Sequence, residues 1–179
     1  ILDDHFLPEP AGVGRIEYLA DAAQSYARFL LDSYPEPESA GGRLKLVVDC
    51  SNGAASDVAP LVFNLQRFEA DFINHTPTGT NINHNCGSQH TEDLQTEVVK
   101  QQADIGLAFD GDADRLIVVD KTGAELTGDT IIAVCSIFAK ANDKLRNAMV
   151  VSTIMSNIGL GLCLKENGID HVMAGVGDR

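Results

Sequence analysis

The sequence predicts an α/β fold of three layers, in which helices cover both faces of a mixed, mostly parallel β-sheet. Short apolar runs alternate along the chain with segments of helical periodicity, which favours parallel strands joined by crossover helices. The chain has 179 residues, 44% of them hydrophobic, and this composition is typical of a globular protein. The length allows one complete domain and the beginning of a second, similar one.

The segment before the first predicted strand contains a linker and one helix. Residues 1–14, with prolines and glycines toward their end, are interpreted as a linker from an upstream domain. Apolar residues then recur at helical spacing from Arg15 to Tyr34, which predicts a helix over that range.

The first strand is predicted at Leu44–Asp49, and a loop of small residues leads from it into a second helix. Ser56 or Asp57 is expected to cap that helix, with Pro60 tolerated in its first turn. A loop of this kind before a helix N-terminus is suited to binding an anion. It is neither a G-x-G-x-x-G loop nor a Walker loop, so a plain strand-to-helix turn is an equal alternative.

A long polar loop follows the next predicted strand, Ala70–Asn74. The loop covers Thr76–His90 and contains three asparagines and two histidines. Loops of this length in compact domains are typically functional. Thr91 is expected to cap a third helix that runs to about Gln102, with two acidic residues in its first turn.

The most informative stretch follows the buried strand predicted at Ile105–Phe109. Three carboxylates, Asp110, Asp112 and Asp114, stand two residues apart there, and Arg115 comes next. Three like charges so close together repel one another, and a divalent cation that prefers oxygen ligands would relieve that repulsion. The sequence therefore predicts a Mg²⁺ or Ca²⁺ site at the three aspartates, with Arg115 suited to holding a phosphoryl group.

The aspartate loop also allows other interpretations. An EF-hand that begins at Asp110 would need glycine at its sixth position and glutamate at its twelfth, where the chain has Arg115 and Lys121. A phosphatase loop with Asp110 as nucleophile would need threonine in place of Asp114. A solvated acidic turn without metal is the remaining alternative.

The rest of the chain repeats the alternation of strands and helices. Strands are predicted at 116–119, 148–152 and 170–173, helices at 130–141 and 155–167, and a turn at 121–123. The last strand–helix–strand unit is too small to close a core by itself, so it is interpreted as the start of another domain.

Charge and cysteine usage limit the classes of partner. Asp and Glu outnumber Lys and Arg by 26 to 13, and the net charge of −13 argues against nucleic acid or an anionic membrane as partner. No apolar run reaches the roughly 18 residues of a membrane span, and the four scattered cysteines favour a reduced, cytoplasmic protein. Cys86 lies near His84 and His90, but at a looser spacing than structural zinc sites use, so these three are assigned no role.

Five segments, in the same order along the chain, resemble one known family. The aspartate loop is similar to the metal loop of the α-D-phosphohexomutases, and the other four segments resemble those of their bacterial phosphoglucosamine mutase branch. The resemblance implies that residues 15–126 form the metal-loop domain, the second of that family, and that 127–179 begin its third, sugar-binding domain. The five segments are Val48–Ala54, Asn81–Ser88, Asp110–Arg115, Met155–Gly159 and Val176–Arg179.

The resemblance implies an isomerase of carbohydrate metabolism that interconverts glucosamine 6-phosphate and glucosamine 1-phosphate for peptidoglycan precursor synthesis. Members of the family transfer phosphate through a phosphoserine and a bisphosphorylated sugar, with a glucose or glucosamine bisphosphate as activator. By resemblance, the three aspartates hold Mg²⁺, Arg115 acts in catalysis, and Asp178 and Arg179 contact the phosphosugar substrate.

Some parts of the family pattern have no counterpart in these 179 residues. The serine loop and the C-terminal phosphate-binding loop are absent, so the chain is expected to need the rest of a parent protein and to be inactive alone. Ala113 stands where the family usually has glycine, and Gly175 where it usually has a basic residue. Phosphomannomutase/phosphoglucomutase specificity, or a cation-binding module without catalysis, are the alternative functions.

Overall fold

The computed structural model describes residues 14–33, 42–63 and 68–177. The linker predicted at 1–14 lies outside these ranges except for Gly14, and so do the predicted substrate contacts Asp178 and Arg179. None of the helices in the described part of the chain combines the length and hydrophobicity that a bilayer crossing requires.

A five-stranded mixed sheet forms the centre of the first unit, with strand order β2-β1-β3-β4-β5. β1 pairs in parallel with both β2 and β3, whereas β4 pairs antiparallel with β3 and with β5. Only β4 is therefore reversed, which confirms the predicted mixed, mostly parallel sheet. The strands are β1 (Leu44–Asp49), β2 (Phe68–Ile73), β3 (Ile105–Phe109), β4 (Leu116–Asp120) and β5 (Glu125–Leu126).

The strand order brings two loops together at one edge of the sheet. The chain passes from β1 to β2 on one side of β1 and then returns to β3 on the other side of β1. The connections that follow β1 and β3 therefore run in different directions from the neighbouring ends of these two strands. Asp49 pairs with Ala108 in the register, which puts the ends of both strands at the same level. The loops 50–54 and 110–115 therefore lie side by side.

Helices cover both faces of this sheet, as the three-layer prediction requires. On one face, α3 (Glu92–Gln101) packs Leu94 and Val98 against Val47 of β1. On the other, α2 (Ala55–Phe63) packs against Leu46 and Val48. Successive side chains of a strand point to opposite faces, so β1 contributes to both cores. A further helix, α1 (Ala22–Ser33), lies beside α2.

The second unit contains two parallel strands and two helices. α5 packs Leu160 and Leu164 against α4 and against Ile169, which precedes the last strand. The Ser152 hydroxyl and His171 Nε2, 2.8 Å apart, join the two strands by a side-chain hydrogen bond. The elements are α4 (Gly128–Ala141), β6 (Met149–Thr153), α5 (Ile158–Glu166) and β7 (Asp170–Ala174).

The first helix is shorter than its periodicity predicted. It begins at Ala22 instead of Arg15, and the side chains of Ile16 and Leu19 are exposed to solvent. Helices in proteins gain most of their stability from packing of an apolar face, and these residues find no such packing in the described part of the chain. The helical spacing of the apolar residues was therefore not sufficient to predict where the helix begins.

Two predicted caps and the predicted start of the last helix also differ from the structure. α2 begins at Ala55, so Ser56 lies inside the helix with a buried hydroxyl that has no partner among the described residues, and Pro60 lies in the second turn. Thr91 stands at the N-cap of α3, but its hydroxyl donates to the Glu125 carboxylate and accepts from Nε2 of Gln95, not from a backbone amide of the helix. The last helix begins at Ile158 instead of Met155 and is capped by the residue before it.

Candidate metal centre

The three aspartates of the loop between β3 and β4 converge in space. One carboxylate oxygen from each of Asp110, Asp112 and Asp114 lies within 4.8 Å of the others. Opposite ligands of an octahedral Mg²⁺ are about 4.2 Å apart, and those of the larger Ca²⁺ about 5 Å. The spacing of these oxygens fits a hard divalent cation.

The backbone of residues 110–115 explains this convergence. Phe109 and Leu116 are paired across the antiparallel strands, so the six residues between them must reverse the chain. The Ala113 amide donates to the Asp110 carbonyl at 3.1 Å, which closes a tight turn. Ala113 has φ of +61°, a left-handed conformation that disfavours residues with a Cβ atom.

Arg115 neutralises and orients the innermost carboxylate. Its amide donates to Oδ1 of Asp110 at 3.1 Å, and its Nε donates to Oδ2 at 2.8 Å. Burial raises the pKa of Asp110, but these bonds outweigh burial and lower the pKa to about 2. A hydrogen bond with Asp110 raises the pKa of Asp114, and so does repulsion by the negative charges of Asp112 and Asp110. The loop thus favours an additional cation.

Two other loops hold the metal loop from either side. The Ala54 amide donates to the Gly111 carbonyl at 2.9 Å, and a Cβ atom on Gly53 would lie 2.2 Å from that carbonyl oxygen. On the other side, a Cβ atom on Gly111 would lie 2.6 Å from Nδ2 of Asn83 and 2.8 Å from Ile82. The neighbours of Gly53 are backbone atoms, so this position requires glycine, whereas a side chain at Gly111 would displace the side chains of Asn83 and Ile82.

Asp49 is a candidate functional residue that the sequence analysis missed. Its fully buried carboxylate accepts hydrogen bonds from Ser51 N at 2.8 Å, Gly87 N at 2.9 Å and Asn74 Nδ2 at 3.1 Å. Burial raises the pKa of Asp49, and the three donors act in the opposite direction. The available signal was an acidic residue that ends an apolar strand, as Asp110 does after β3.

The remaining candidates do not form a second metal cluster within the described residues. Cys86 is buried, and burial raises the pKa of its thiol, whereas His84 and His90 are exposed. Asn52 Nδ2 lies 3.8 Å from the Cys86 sulfur, so this cysteine of the polar loop packs against the loop after β1. Gly175 is exposed, with space around it for a larger side chain.

Comparison with known proteins identifies the family. The profile described as phosphoglucomutase/phosphomannomutase, alpha/beta/alpha domain II, matches residues 17–123, and the domain III profile matches 127–179. The chain belongs to the phosphoglucomutase/phosphomannomutase family. The resemblance seen in the five segments is thereby confirmed.

Curated relatives of this phosphoglucomutase/phosphomannomutase family member include enzymes named phosphoglucosamine mutase. The Desulforapulum autotrophicum protein is 53% identical over 169 residues, which are 93% of this chain and 36% of that protein. The Syntrophus aciditrophicus protein is 46% identical over 98% of this chain and 39% of its own length. The chain thus spans less than half the length of these relatives.

Solved structures of the phosphoglucomutase/phosphomannomutase family share the fold. A family protein from Burkholderia thailandensis superimposes with a TM-score of 0.74 at 26% identity, over 87% of this chain and 33% of that one. An N-acetylglucosamine-phosphate mutase of the α-D-phosphohexomutase superfamily, in its substrate complex, gives 0.56 at 18% identity over 88% of this chain and 32% of that one. The second likeness concerns the fold alone.

Replacing Ala113 by glycine is expected to stabilise the chain by about 0.5–1 kcal/mol, because glycine adopts the left-handed conformation without steric cost. The gain is limited, since the Ala113 methyl packs against the α2 core. Urea unfolding monitored by circular dichroism measures the change. The matched control is Ala124→Gly, at an exposed position with negative φ, where glycine should destabilise. Destabilisation by both variants would contradict the left-handed assignment of Ala113.

Proposed function

We propose that these residues are the metal-bearing part of a phosphoglucosamine mutase. The complete protein would interconvert glucosamine 6-phosphate and glucosamine 1-phosphate in the cytoplasm, as an intramolecular phosphotransferase without nucleic-acid or membrane partners. The observation that carries the proposal is the cluster of three aspartates, whose oxygens lie within 4.8 Å of one another beside Arg115. The relatives named phosphoglucosamine mutase support the choice of sugar.

The proposed division of labour follows the two units of the chain. Residues 15–126 would be the metal-loop domain and 127–179 the beginning of a sugar-binding domain. The separate cores support this division, since two are built from residues between Leu46 and Val119 and the third from residues between Ile132 and Ile169.

In this mechanism the three aspartates would hold Mg²⁺, which supplies positive charge to a transferring phosphoryl group. Asp110 is kept ionised and oriented by Arg115, as its lowered pKa of about 2 indicates. Arg115 uses Nε for this contact, and its largely exposed side chain leaves the terminal nitrogens available to phosphoryl oxygens.

The rest of the parent chain would contribute the phosphoserine and the remaining phosphate-binding loops, and a glucose or glucosamine bisphosphate would activate it. Asp178 and Arg179 are proposed to contact the phosphosugar. By this account residues 1–179 alone have no mutase activity.

A chimeric enzyme tests the proposal. Residues 15–179 would replace the matching segment of the Desulforapulum autotrophicum phosphoglucosamine mutase, which is 53% identical over 169 residues. We expect the chimera to convert glucosamine 6-phosphate, to lose activity in EDTA and to regain it with Mg²⁺. Residues 1–179 alone, assayed for turnover and for phosphate release, are the control.

The contrary outcomes point to different errors. A folded chimera that converts mannose or glucose phosphates but not glucosamine phosphates would contradict the proposed sugar. Release of inorganic phosphate by residues 1–179 alone would identify a hydrolase with Asp110 as nucleophile. A folded chimera without turnover of any of these sugars would contradict the mutase assignment.

A further inference from the structure

Asp49 is a buried charged group that the proposed chemistry does not use. It lies at the end of the interior strand β1, and both of its carboxylate oxygens are occupied by protein donors. These donors belong to three separate segments: the loop after β1 (Ser51), the end of β2 (Asn74) and the long polar loop (Gly87). One side chain thus joins three segments that are distant in sequence.

Two of the three segments that Asp49 joins contact the metal loop. The loop after β1 reaches the metal loop through Gly53 and through the bond from the Ala54 amide to the Gly111 carbonyl. The polar loop reaches it through Ile82 and Asn83, which lie against Gly111. A Cβ atom on Gly87 would lie 2.6 Å from the carbonyl oxygen of Phe109, immediately before the first aspartate.

The two holding segments are also bonded to each other. The Asn83 amide donates to the Ser51 carbonyl at 3.0 Å, and Ser51 and Asn83 both have positive φ. Serine disfavours this conformation and keeps it only when the surrounding structure determines it, whereas asparagine tolerates it more readily. The hydrogen bond from the Ser51 amide to Asp49 is one such determinant.

We propose that Asp49 is a positioning residue for the metal loop. By fixing the loop after β1 and the polar loop, it sets the position of Gly111 and hence the spacing of the aspartate oxygens on either side of it. Asp49 sets the cation affinity of the site without touching the ion. The inference rests on the proposed metal site and adds a residue to it.

The arrangement of donors distinguishes this role from simple packing. Burial of a carboxylate is costly unless it is fully hydrogen-bonded, and an apolar residue would fill the same space at no such cost. All three partners of Asp49 are donors, so an asparagine, which has one acceptor oxygen instead of two, cannot satisfy them. Asp49→Asn therefore keeps the volume and disrupts the bonding.

The test is the affinity of residues 1–179 for Mn²⁺, measured by electron paramagnetic resonance at a temperature where every variant is folded. We expect Asp49→Asn to weaken Mn²⁺ binding about tenfold, the effect typical of groups that orient metal ligands indirectly. The control is Val98→Ala, which removes buried volume from the α3 core, and should lower stability but change the affinity less than twofold.

Amide hydrogen exchange gives a readout that does not need the metal. In Asp49→Asn, the amides of Ala54 and Asn83 should exchange at least about tenfold faster, because the segments that carry them are released. In Val98→Ala, these amides should change no more than the strand amides do. If Asp49→Asn does not fold, Asn74→Gly removes one donor, keeps a residue compatible with φ of +47° there, and should weaken Mn²⁺ binding about threefold.

The outcomes separate this inference from the proposed function. If Mn²⁺ does not bind to the unsubstituted chain, or binds equally well to Asp112→Ala, the metal site is wrong and so is the role of Asp49. If the unsubstituted chain binds Mn²⁺ at the aspartates and Asp49→Asn binds it equally well, the metal site stands and the positioning role is wrong. The positioning role is equally wrong if Asn74→Gly, used in place of Asp49→Asn, binds Mn²⁺ unchanged.

Discussion

Asp112→Ala in the chimeric enzyme is expected to reduce mutase turnover about a thousandfold, since phosphoryl transfer depends on charge stabilisation at the transferring group. The Asp112 side chain is exposed and forms no hydrogen bond within the described residues, so its loss should leave the fold intact. Turnover of glucosamine 6-phosphate over a Mg²⁺ titration, together with the thermal unfolding midpoint, measures both effects.

The control for this variant is Asp71→Ala, which removes an exposed aspartate from edge strand β2. It changes the net charge by the same amount and should leave turnover and the Mg²⁺ requirement unchanged. Retained turnover in Asp112→Ala, with the original Mg²⁺ dependence, would show that the aspartate loop does not hold the metal.

Gly53→Ala is expected to destabilise the chain by about 2–3 kcal/mol, within the range for overpacked sites. The new Cβ atom would lie 2.2 Å from the Gly111 carbonyl oxygen and 2.7 Å from its Cα atom. Both are backbone atoms, so no side-chain rotation relieves the clash and the two loops must separate. The bond from the Ala54 amide to Gly111 would be lost, and Mn²⁺ binding should weaken as well. Urea unfolding and Mn²⁺ titration of residues 1–179 measure these effects.

Gly128→Ala is the matched control for this substitution. A Cβ atom on Gly128, the first residue of α4, would have no heavy atom within 4 Å, and alanine favours helix over glycine. Its stability should be unchanged or slightly increased. Equal stability of Gly53→Ala and the unsubstituted chain would mean that the two loops are not in the close contact described above.

Strands β1 and β3 were predicted most accurately, whereas β2 begins two residues before the predicted Ala70 and β5 was not predicted. β1 and β3 begin and end at the predicted residues, because the polar residues on either side of a short apolar run mark the ends of the strand. The ends of helices were predicted less well, as the late start of α1 at Ala22 illustrates. Periodicity shows which face of a helix is apolar, but the number of turns depends on contacts that are distant in sequence.

The candidate site divides in the same way. The aspartates were found because all three ligands lie within five consecutive residues, so spacing alone brought them together. Asp49 was missed because its partner Gly87 is 38 residues away in the sequence. The contact between Gly53 and Gly111 was missed because the two glycines lie in loops that follow different strands. Such contacts follow from strand order, which the alternation of strands and helices does not specify uniquely.

The close approach of Gly53 to Gly111 and of Gly111 to Asn83 has a consequence for protein engineering. Residues 110–115 transplanted into another scaffold would bring the ligands but not the neighbouring backbone that keeps them at this separation. A useful graft must therefore include residues 49–54 and 82–87, because the three stretches form one unit of design. Libraries that replace these glycines in one stretch, while the other two stretches stay fixed, should contain few variants that fold. Libraries that vary all three stretches together can reach new arrangements of the loops.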